Sequence, residues 1–180
     1  MRLIDIAMNN LRRKNGLAIE HRGMGLRQVV KLIKAGEHIG IPADQEARWH
    51  GILVPFFGRE SLTHPGGAFL SLKTGAALVP SFHIRQGRRH LIRYLPPIFP
   101  EGSEVTDEAL ASLTAENCCR LEEMIRLYPD HWFWLHKRWK RAPRGADGLP
   151  RRAGSAADDS EAASDSSAAG GDAEGRRAPA

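Results

Sequence analysis

The chain has 180 residues, with 26 Lys and Arg against 21 Asp and Glu, a formal net charge of +5. No apolar run reaches the roughly 18 residues that a membrane-spanning helix needs, and the first residues lack the apolar core of a signal peptide. We therefore expect any contact with a membrane to lie at its surface. The two cysteines are neighbours, Cys118 and Cys119, which disfavours a disulfide between them and indicates reduced thiols.

The last part of the chain differs in composition from the rest. Residues 151–180 contain no Val, Ile, Leu, Met, Phe, Trp, Tyr or Cys, and a segment with nothing apolar to bury does not offset its ordering entropy. We expect one folded unit over residues 1–145 and a disordered, low-complexity tail over residues 146–180. Residues 1–150 hold 22 basic and 15 acidic side chains, a net charge of +7. This excess favours an anionic partner: nucleic acid, an anionic membrane, a phosphorylated substrate or an acidic carrier protein.

The first part of the chain predicts two helices. An apolar stripe from Leu3 to Leu11 precedes a basic turn, Arg12 to Lys14, and Gly16 ends the helix. That basic turn is equally typical of a dipole-capping surface and of an anion-binding surface. A short strand is possible at residues 17–19, and a second helix is predicted over residues 25–35, before Gly36.

The stretch from Gly36 to Gly58 contains the least ordinary chemistry. Alternating Ile39, Ile41 and Ala43 predict a strand over residues 37–43, with Asp44 and Gln45 at its carboxyl end. Because the carboxyl ends of strands in an α/β sheet border the ligand crevice, these two polar side chains are candidates for orienting a substrate. The apolar run over residues 52–58 is either a core strand or the wall of an acyl pocket, and periodicity does not separate the two.

Helices and strands continue to alternate along the rest of the chain, which predicts the α/β class. Thr63 is a plausible N-cap for a helix that ends at Gly75. A strand over residues 76–84, interrupted by Pro80, turns at residues 86–87 into a second strand over residues 89–95. A long helix is predicted from Thr106 to about Tyr128.

Residues 132–141 contain three of the four tryptophans and a dense basic cluster. Aromatic rings between Lys and Arg are typical of a membrane interface or of stacking on nucleic-acid bases. The alternative is a short helix whose Trp rings close the core while its cations are solvated. The candidate membrane-surface residues are Trp132, Trp134, Lys137, Arg138, Trp139 and Lys140.

Familiar catalytic and metal motifs are absent from the sequence. It has no H-E-x-x-H, no cysteine pair at zinc spacing, no G-x-S-x-G and no Walker loop. None of the eight histidines has a nucleophile at recognisable spacing. We therefore predict no metal site and no cofactor.

One family nevertheless shares an ordered series of motifs with this chain. The motifs are Asn10–Gly16, Gly36 through Asp44-Gln45, Val54–Gly58, Lys73–Ala76, Val79-Pro80, Glu122, Ile125, Pro129 and Trp134–Lys140. In this order they resemble the lipid A biosynthesis acyltransferases, of the lauroyl and myristoyl type, within the lysophospholipid acyltransferase group. The resemblance covers about residues 1–145.

The resemblance implies both a fold and a reaction. The fold is part of a glycerolipid-acyltransferase-like mixed sheet flanked by helices. The reaction moves a fatty acyl chain from acyl carrier protein, or from coenzyme A, to a glycolipid hydroxyl at the cytoplasmic face of the bacterial inner membrane. By this resemblance Arg12 and Arg22 bind phosphate groups, Asp44 and Gln45 orient the substrate, and Phe56 and Phe57, followed by Gly58, line the acyl path.

The family's general base is a His followed five positions later by Asp or Glu, which orients the imidazole. The fifth residues after the eight histidines are Leu, Ala, Pro, Phe, Arg, Leu, His and Arg, so the motif is absent from these 180 residues. In the family it precedes the segment that residues 3–16 resemble. We therefore expect a truncated, carboxyl-terminal part of an acyltransferase that is inactive alone.

Two other classes of function remain open. The first is a non-catalytic module that binds anionic lipid or a carrier protein. The second is a nucleic-acid-binding protein; the scattered basic residues and the lack of a nucleic-acid fold signature disfavour it, so we expect no nucleic-acid partner.

Overall fold

The computed structural model of the chain describes residues 2–17, 25–47, 51–145 and 147–153. These residues form helices and strands in the following order: α1 (Arg2–Lys14), α2 (Leu26–Lys34), β1 (Ile52–Phe56), β2 (Arg59–Thr63), α3 (Gly66–Thr74), β3 (Ser81–Gln86), β4 (Arg89–Tyr94), α4 (Asp107–Leu127) and a 3-10 helix (Pro129–His131). The predicted mixed α/β class is confirmed. None of the helices within the described ranges is long and apolar enough to cross a bilayer.

The helices follow local signals in the sequence. The side chain of Thr106 caps α4 by accepting the backbone N–H of Ala109 at 3.1 Å. Gly75 ends α3 with a φ of 75°, a left-handed conformation that glycine adopts at little cost. Thr63 is not the cap of α3, because it is the last residue of β2 and the helix begins only after Pro65.

The strands form two separate antiparallel pairs, β1 with β2 and β3 with β4. The β1–β2 turn consists of Phe57 and Gly58, with φ values of 50° and 72°. Positive φ at both central residues is the geometry of a type I′ hairpin, and it is unfavourable for a residue with a side chain. Glu122 on α4 accepts the N–H of Phe57 at 2.7 Å and so holds the turn in place.

The strand predicted over residues 37–43 is wrong. Residues 37–44 have no strand pairing, and the first bridge joins Glu46 to Thr63. Pro42 has no N–H to donate to a ladder, and Ile41 is 45% exposed. The alternation of Ile39 and Ile41 therefore belongs to an irregular segment rather than to a half-buried strand.

The core lies between the β1–β2 pair and α4. Val54, Phe56, Cys118 and Ile125 form one buried cluster, and Trp132 and Trp139 pack against it. The apolar run over residues 52–58 is therefore a core strand and its turn, not a pocket wall. A second cluster joins α3 to α4 through Ala68, Leu72, Ile98 and Leu113.

Residues 147–153 continue the fold beyond residue 145. The carbonyl of Arg151 accepts the N–H of Glu60 at 2.8 Å, and Ala153 donates its N–H to the carbonyl of Gly58 at 3.1 Å. This part of the segment assigned to the tail thus runs beside β2.

A buried guanidinium joins the segment after α4 to β2. Arg138 is 1% exposed. It donates from Nη1 to the Ser61 hydroxyl at 2.6 Å and to the Leu62 carbonyl at 2.8 Å, and from Nη2 to the Thr63 hydroxyl at 2.7 Å. Its guanidinium also lies 4.9 Å from the centre of the Phe56 ring, a cation–π distance.

We expect Arg138→Ala to lower the free energy of unfolding by about 3–5 kcal/mol, because it removes three hydrogen bonds to β2 and the packing of the guanidinium on Phe56. Urea denaturation followed by circular dichroism measures the change. Lys140→Ala is the matched control; its side chain is exposed and should change stability by less than about 0.5 kcal/mol. Equal effects of the two substitutions would contradict a stabilising role for Arg138.

Candidate functional site

A cavity of about 450 Å³ lies beside the irregular segment that precedes β1. Its walls come from residues 39–44, α3, the β3 strand with the residues before it, α4 and the 3-10 region. The apolar lining comprises Ile39, Ile41, Pro42, Ala43, Ala68, Ala77, Leu78, Val79, Pro80, Phe82, Ile84, Leu121, Met124, Ile125 and Trp132. Such a volume lies within the usual range of about 300–1,000 Å³ for small-molecule sites.

The few polar side chains along the wall are of three kinds. The carboxylate is Asp44, and the histidines are His64, His83 and His131; the hydroxyl and amide side chains are Ser81, Thr114, Asn117 and Tyr128, of which Thr114 and Asn117 lie almost one helical turn apart on α4. Thr114 is 4% exposed and its hydroxyl has no hydrogen-bond partner among the described residues. A mainly apolar cavity with a few polar groups suits a ligand with a long apolar part and one polar group.

His131 forms a histidine–carboxylate pair, yet its geometry is not that of a general base. Nδ1 lies 3.0 Å from an oxygen of Asp130, and Nε2 accepts the backbone N–H of Arg85 at 2.9 Å. The hydrogen bond from His131 lowers the pKa of the Asp130 carboxyl below its ordinary value. Because Nε2 is already occupied, His131 attaches β3 to the end of α4 and has no free lone pair for a substrate proton.

His83 also makes a contact through one of its ring nitrogens. Its Nε2 lies 2.7 Å from Nδ1 of His90, and the two rings stack with centroids 4.8 Å apart. Within the described ranges no group of three or more His, Cys, Asp or Glu side chains is arranged to hold a metal ion.

The structure separates the predicted substrate-binding residues. Asp44 lines the cavity, whereas Gln45 is exposed and is not part of the wall. Arg12 is exposed on α1, where it hydrogen-bonds Asn9, and is not part of the wall either. Arg22 lies outside the described residues.

The acyl path predicted along Phe56 and Phe57 is not found. Phe56 is 0% exposed and packs against Phe57, Trp132 and Trp139. Both rings therefore belong to the core, and neither lines the cavity. Gly58 serves the β1–β2 turn.

The basic and aromatic segment divides between the interior and the surface. Trp132 and Trp139 pack on the core, and Arg138 is buried. Arg138 thus does not reach headgroups, which corrects its assignment to a membrane surface. Lys137, Lys140 and Trp134 are exposed, and the indole of Trp134 donates to the Pro129 carbonyl at 2.7 Å.

Sequence reasoning missed Glu46, which fixes the position of Asp44 two residues earlier. Its buried carboxylate binds the Nη1 of Arg141 at 2.9 Å, and its N–H donates to Nε2 of His136 at 2.9 Å. The two partners lie 90 and 95 residues further along the chain. No local pattern in the sequence signals such a pairing.

The buried thiol of Cys118 lies beneath the same region. Burial raises its pKa above the ordinary value, and the nearby positive charge of Arg138 offsets this only in part. A thiol that is buried and mostly protonated is a poor nucleophile. Cys118 is thus a core residue, as the prediction of small, reduced cysteines implied.

Comparison with known proteins shows that this α/β chain is similar to enzymes that acylate lipids. Residues 1–141 match the model of the bacterial lipid A biosynthesis acyltransferase family, so the chain belongs to that family. It is 31% identical over 124 residues to the lipid A biosynthesis lauroyltransferase of Escherichia coli, covering 67% of this chain and 39% of the relative.

Two further relatives give the same picture. The lipid A biosynthesis palmitoleoyltransferase of Escherichia coli is 29% identical over 126 residues, which are 69% of this chain and 40% of that protein. The phosphatidylinositol mannoside acyltransferase of Mycolicibacterium smegmatis is 31% identical over 103 residues, 56% of this chain and 32% of that protein. The chain thus spans about two fifths or less of the length of these relatives.

The Thr114 hydroxyl, which has no hydrogen-bond partner among the described residues, should lower the stability of the fold. We expect Thr114→Val to raise the free energy of unfolding by about 1 kcal/mol, because an isosteric methyl removes a buried polar atom without a partner. Thr106→Val, on the same helix, should lower it by about 1 kcal/mol, because Val removes the N-cap acceptor. Thermal unfolding of both variants provides the measurement, and a destabilised Thr114→Val would show that the hydroxyl has a partner.

Proposed function

We propose that this chain provides the substrate-binding part of a lipid A or glycolipid acyltransferase, which moves a fatty acyl chain from acyl carrier protein or coenzyme A to a glycolipid hydroxyl. The observation that carries the proposal is the mainly apolar cavity beside Asp44 in a member of this family. The names of the relatives support lipid acylation as the reaction.

The cavity suits one end of such a substrate. Burial of an acyl chain against its aliphatic walls gains about 0.8 kcal/mol for each methylene removed from water. The carboxylate of Asp44 lies at the same wall, where it accepts a hydrogen bond from a hydroxyl of the bound lipid. Asp44 is accordingly an orienting residue in this proposal and not the proton acceptor for the reaction.

We infer that these 180 residues alone do not catalyse transfer. The sequence has no His with an acid five positions later. The histidine–carboxylate pair at the cavity, His131 with Asp130, has its second ring nitrogen occupied by the N–H of Arg85. Loss of a general base and its partner commonly costs several orders of magnitude in rate. In this proposal the chain is the carboxyl-terminal part of a longer catalytic arrangement.

The exposed residues after α4 support a location at the cytoplasmic face of the bacterial inner membrane. Trp134 is 59% exposed, and Lys137 and Lys140 lie near it in the chain, also exposed. An indole beside ammonium groups suits the headgroup layer of an anionic membrane. The same positive charge suits an acidic carrier protein as acyl donor, and no nucleic-acid partner is proposed.

A second candidate function is a non-catalytic module that binds anionic lipid or a carrier protein. It is favoured by the contacts of His83 and His131, whose Nε2 atoms are each occupied by another group of the protein. Both candidates predict lipid binding, and only the first predicts that catalysis returns when the missing motif is supplied.

A large side chain placed in the cavity tests whether the cavity binds the acyl chain. We expect Ala43→Trp to weaken binding of a fluorescent fatty acid such as parinaric acid about tenfold, because the indole takes up space in the cavity that Ala43 lines. The matched control is Ala7→Trp, at an exposed position on α1 outside the wall, which should bind as the parent does. Unchanged binding by a folded Ala43→Trp protein would place the acyl site elsewhere.

The catalytic proposal is tested by radiolabelled acyl transfer to a glycolipid acceptor. We expect no transfer above background by the 180-residue chain with either acyl carrier protein or coenzyme A as donor. Fusion to the preceding part of the lauroyltransferase should restore transfer, and Asp44→Asn in that fusion should lower it about tenfold. Turnover by the chain alone would overturn the inactivity, and a folded but inert fusion would favour the binding module.

A further inference from the structure

The β3–β4 hairpin carries several exposed arginines and no acidic residue of its own. The sequence has no Asp or Glu between Ser61 and Pro100. Four exposed arginines lie on the hairpin: Arg85, Arg88, Arg89 and Arg93. The side chains of the first three make no hydrogen bond or ion pair with any residue that the structure describes. The fourth reaches only the hydroxyl of Tyr128, at 3.5 Å.

The acids of α4 and of the 3-10 helix do not cancel the positive charge of the hairpin. Asp130 is close enough for the charge of Arg85 to contribute to lowering its pKa, but its carboxylate is hydrogen-bonded to His131. Glu122 and Glu123 on α4 already have arginine partners on their own helix, Arg126 and Arg120. Among the residues that the structure describes, the hairpin is therefore a surface of net positive charge, on which Arg85 lies near the Asp130 carboxylate.

The matching charge is present at the end of the same chain. Residues 154–175 contain six acids, Asp158, Asp159, Glu161, Asp165, Asp172 and Glu174, and no Lys or Arg. They also contain no large apolar side chain, so their association with a surface is driven by charge. The described chain ends at Ala153, directly before this acidic segment.

A series of contacts connects the point where the acidic segment begins to the hairpin. Ala153 donates to the Gly58 carbonyl, and the neighbouring Phe57 is held by Glu122 on α4. Tyr128, which contacts Arg93, is six residues further along, about 9 Å at the rise of a helix. A Gly- and Ser-containing chain of 22 residues has an average end-to-end distance of about 25 Å and a fully extended length of about 70 Å, which is longer than this series of contacts.

We propose that residues 154–175 dock on the arginine surface of the β3–β4 hairpin as an intramolecular anionic ligand. Tethering gives such a segment an effective concentration of about millimolar, so several weak ion pairs suffice. Anionic partners that approach the hairpin then have to displace the segment. This inference does not rest on the proposed function, because both interacting parts belong to the chain itself.

Limited proteolysis of the full chain tests the docking from both sides. Trypsin cleavage after Arg88 and Arg89 should be about fivefold slower in the parent at low salt than in a variant whose six tail acids are changed to Asn and Gln. The difference should disappear in about 0.5 M NaCl, because salt screens exposed ion pairs. Mass spectrometry of the cleavage products provides the rates.

The reciprocal measurement follows cleavage after Glu161 by a glutamate-specific protease. Arg88→Glu with Arg89→Glu should accelerate it about fivefold, whereas Lys137→Glu with Lys140→Glu, another exposed basic pair, should not. Circular dichroism confirms folding, and Arg88→Gln with Arg89→Gln replaces the first pair if it does not fold. Acceleration by the lysine variant alone, or by neither variant, would overturn the proposal. Hairpin protection by anionic vesicles but not by the tail would instead assign the surface to lipid and would also overturn it.

Discussion

The structure depends on a positive charge that is buried without a carboxylate in direct contact. Arg138 is held on β2 by two hydroxyls and a carbonyl, and on β1 by the face of the Phe56 ring. Burial lowers the pKa of its guanidinium, although arginine remains charged at any physiological pH. The cost of desolvating this charge is offset only if all acceptors stay in place. The residues after α4 are therefore fixed to the β1–β2 hairpin as one unit.

This attachment connects the core to the cavity. The segment that carries Arg138 also supplies Trp132 to the cavity wall, and His136 and Arg141 to Glu46. Through Glu46 the irregular residues 39–44 are held beside α4, although they have no ladder of their own. The cavity is thus bounded by a loop whose position is set from the far end of the chain. Its shape therefore depends on long-range polar contacts as well as on the helices and the strand that form the other walls.

The helices were predictable because their signals are local. The cap at Thr106, the acids that follow it and the apolar stripe of α4 all lie within one stretch of sequence. Family membership was predictable for a similar reason, since it rests on an ordered series of short motifs. The strand expected at residues 37–43 failed because alternation of two isoleucines does not distinguish a strand from an extended loop with Pro42 in it.

The candidate site was less accessible to prediction. Asp44 was found because it follows an apolar segment. Phe56 was assigned to an acyl path and Arg138 to a membrane surface, but both side chains are buried in the core. A run of apolar residues has the same pattern in a core and in a pocket. A basic residue among tryptophans has the sequence pattern of a solvated side chain. The structure shows that Arg138 is instead bound by the hydroxyls of Ser61 and Thr63, which lie over seventy residues earlier in the chain. Only tertiary contacts separate these cases.

The segment over residues 150–153 has a consequence for association between molecules. Together with Ala47, which donates to the Leu62 carbonyl, it occupies backbone groups along the margin of β2 that faces away from β1. Covered margins do not recruit strands from other chains, whereas bare ones are templates for oligomerisation. The margin of β4 has no such cover among the residues that the structure describes. Any strand-by-strand self-assembly of this protein would accordingly spare this margin of β2.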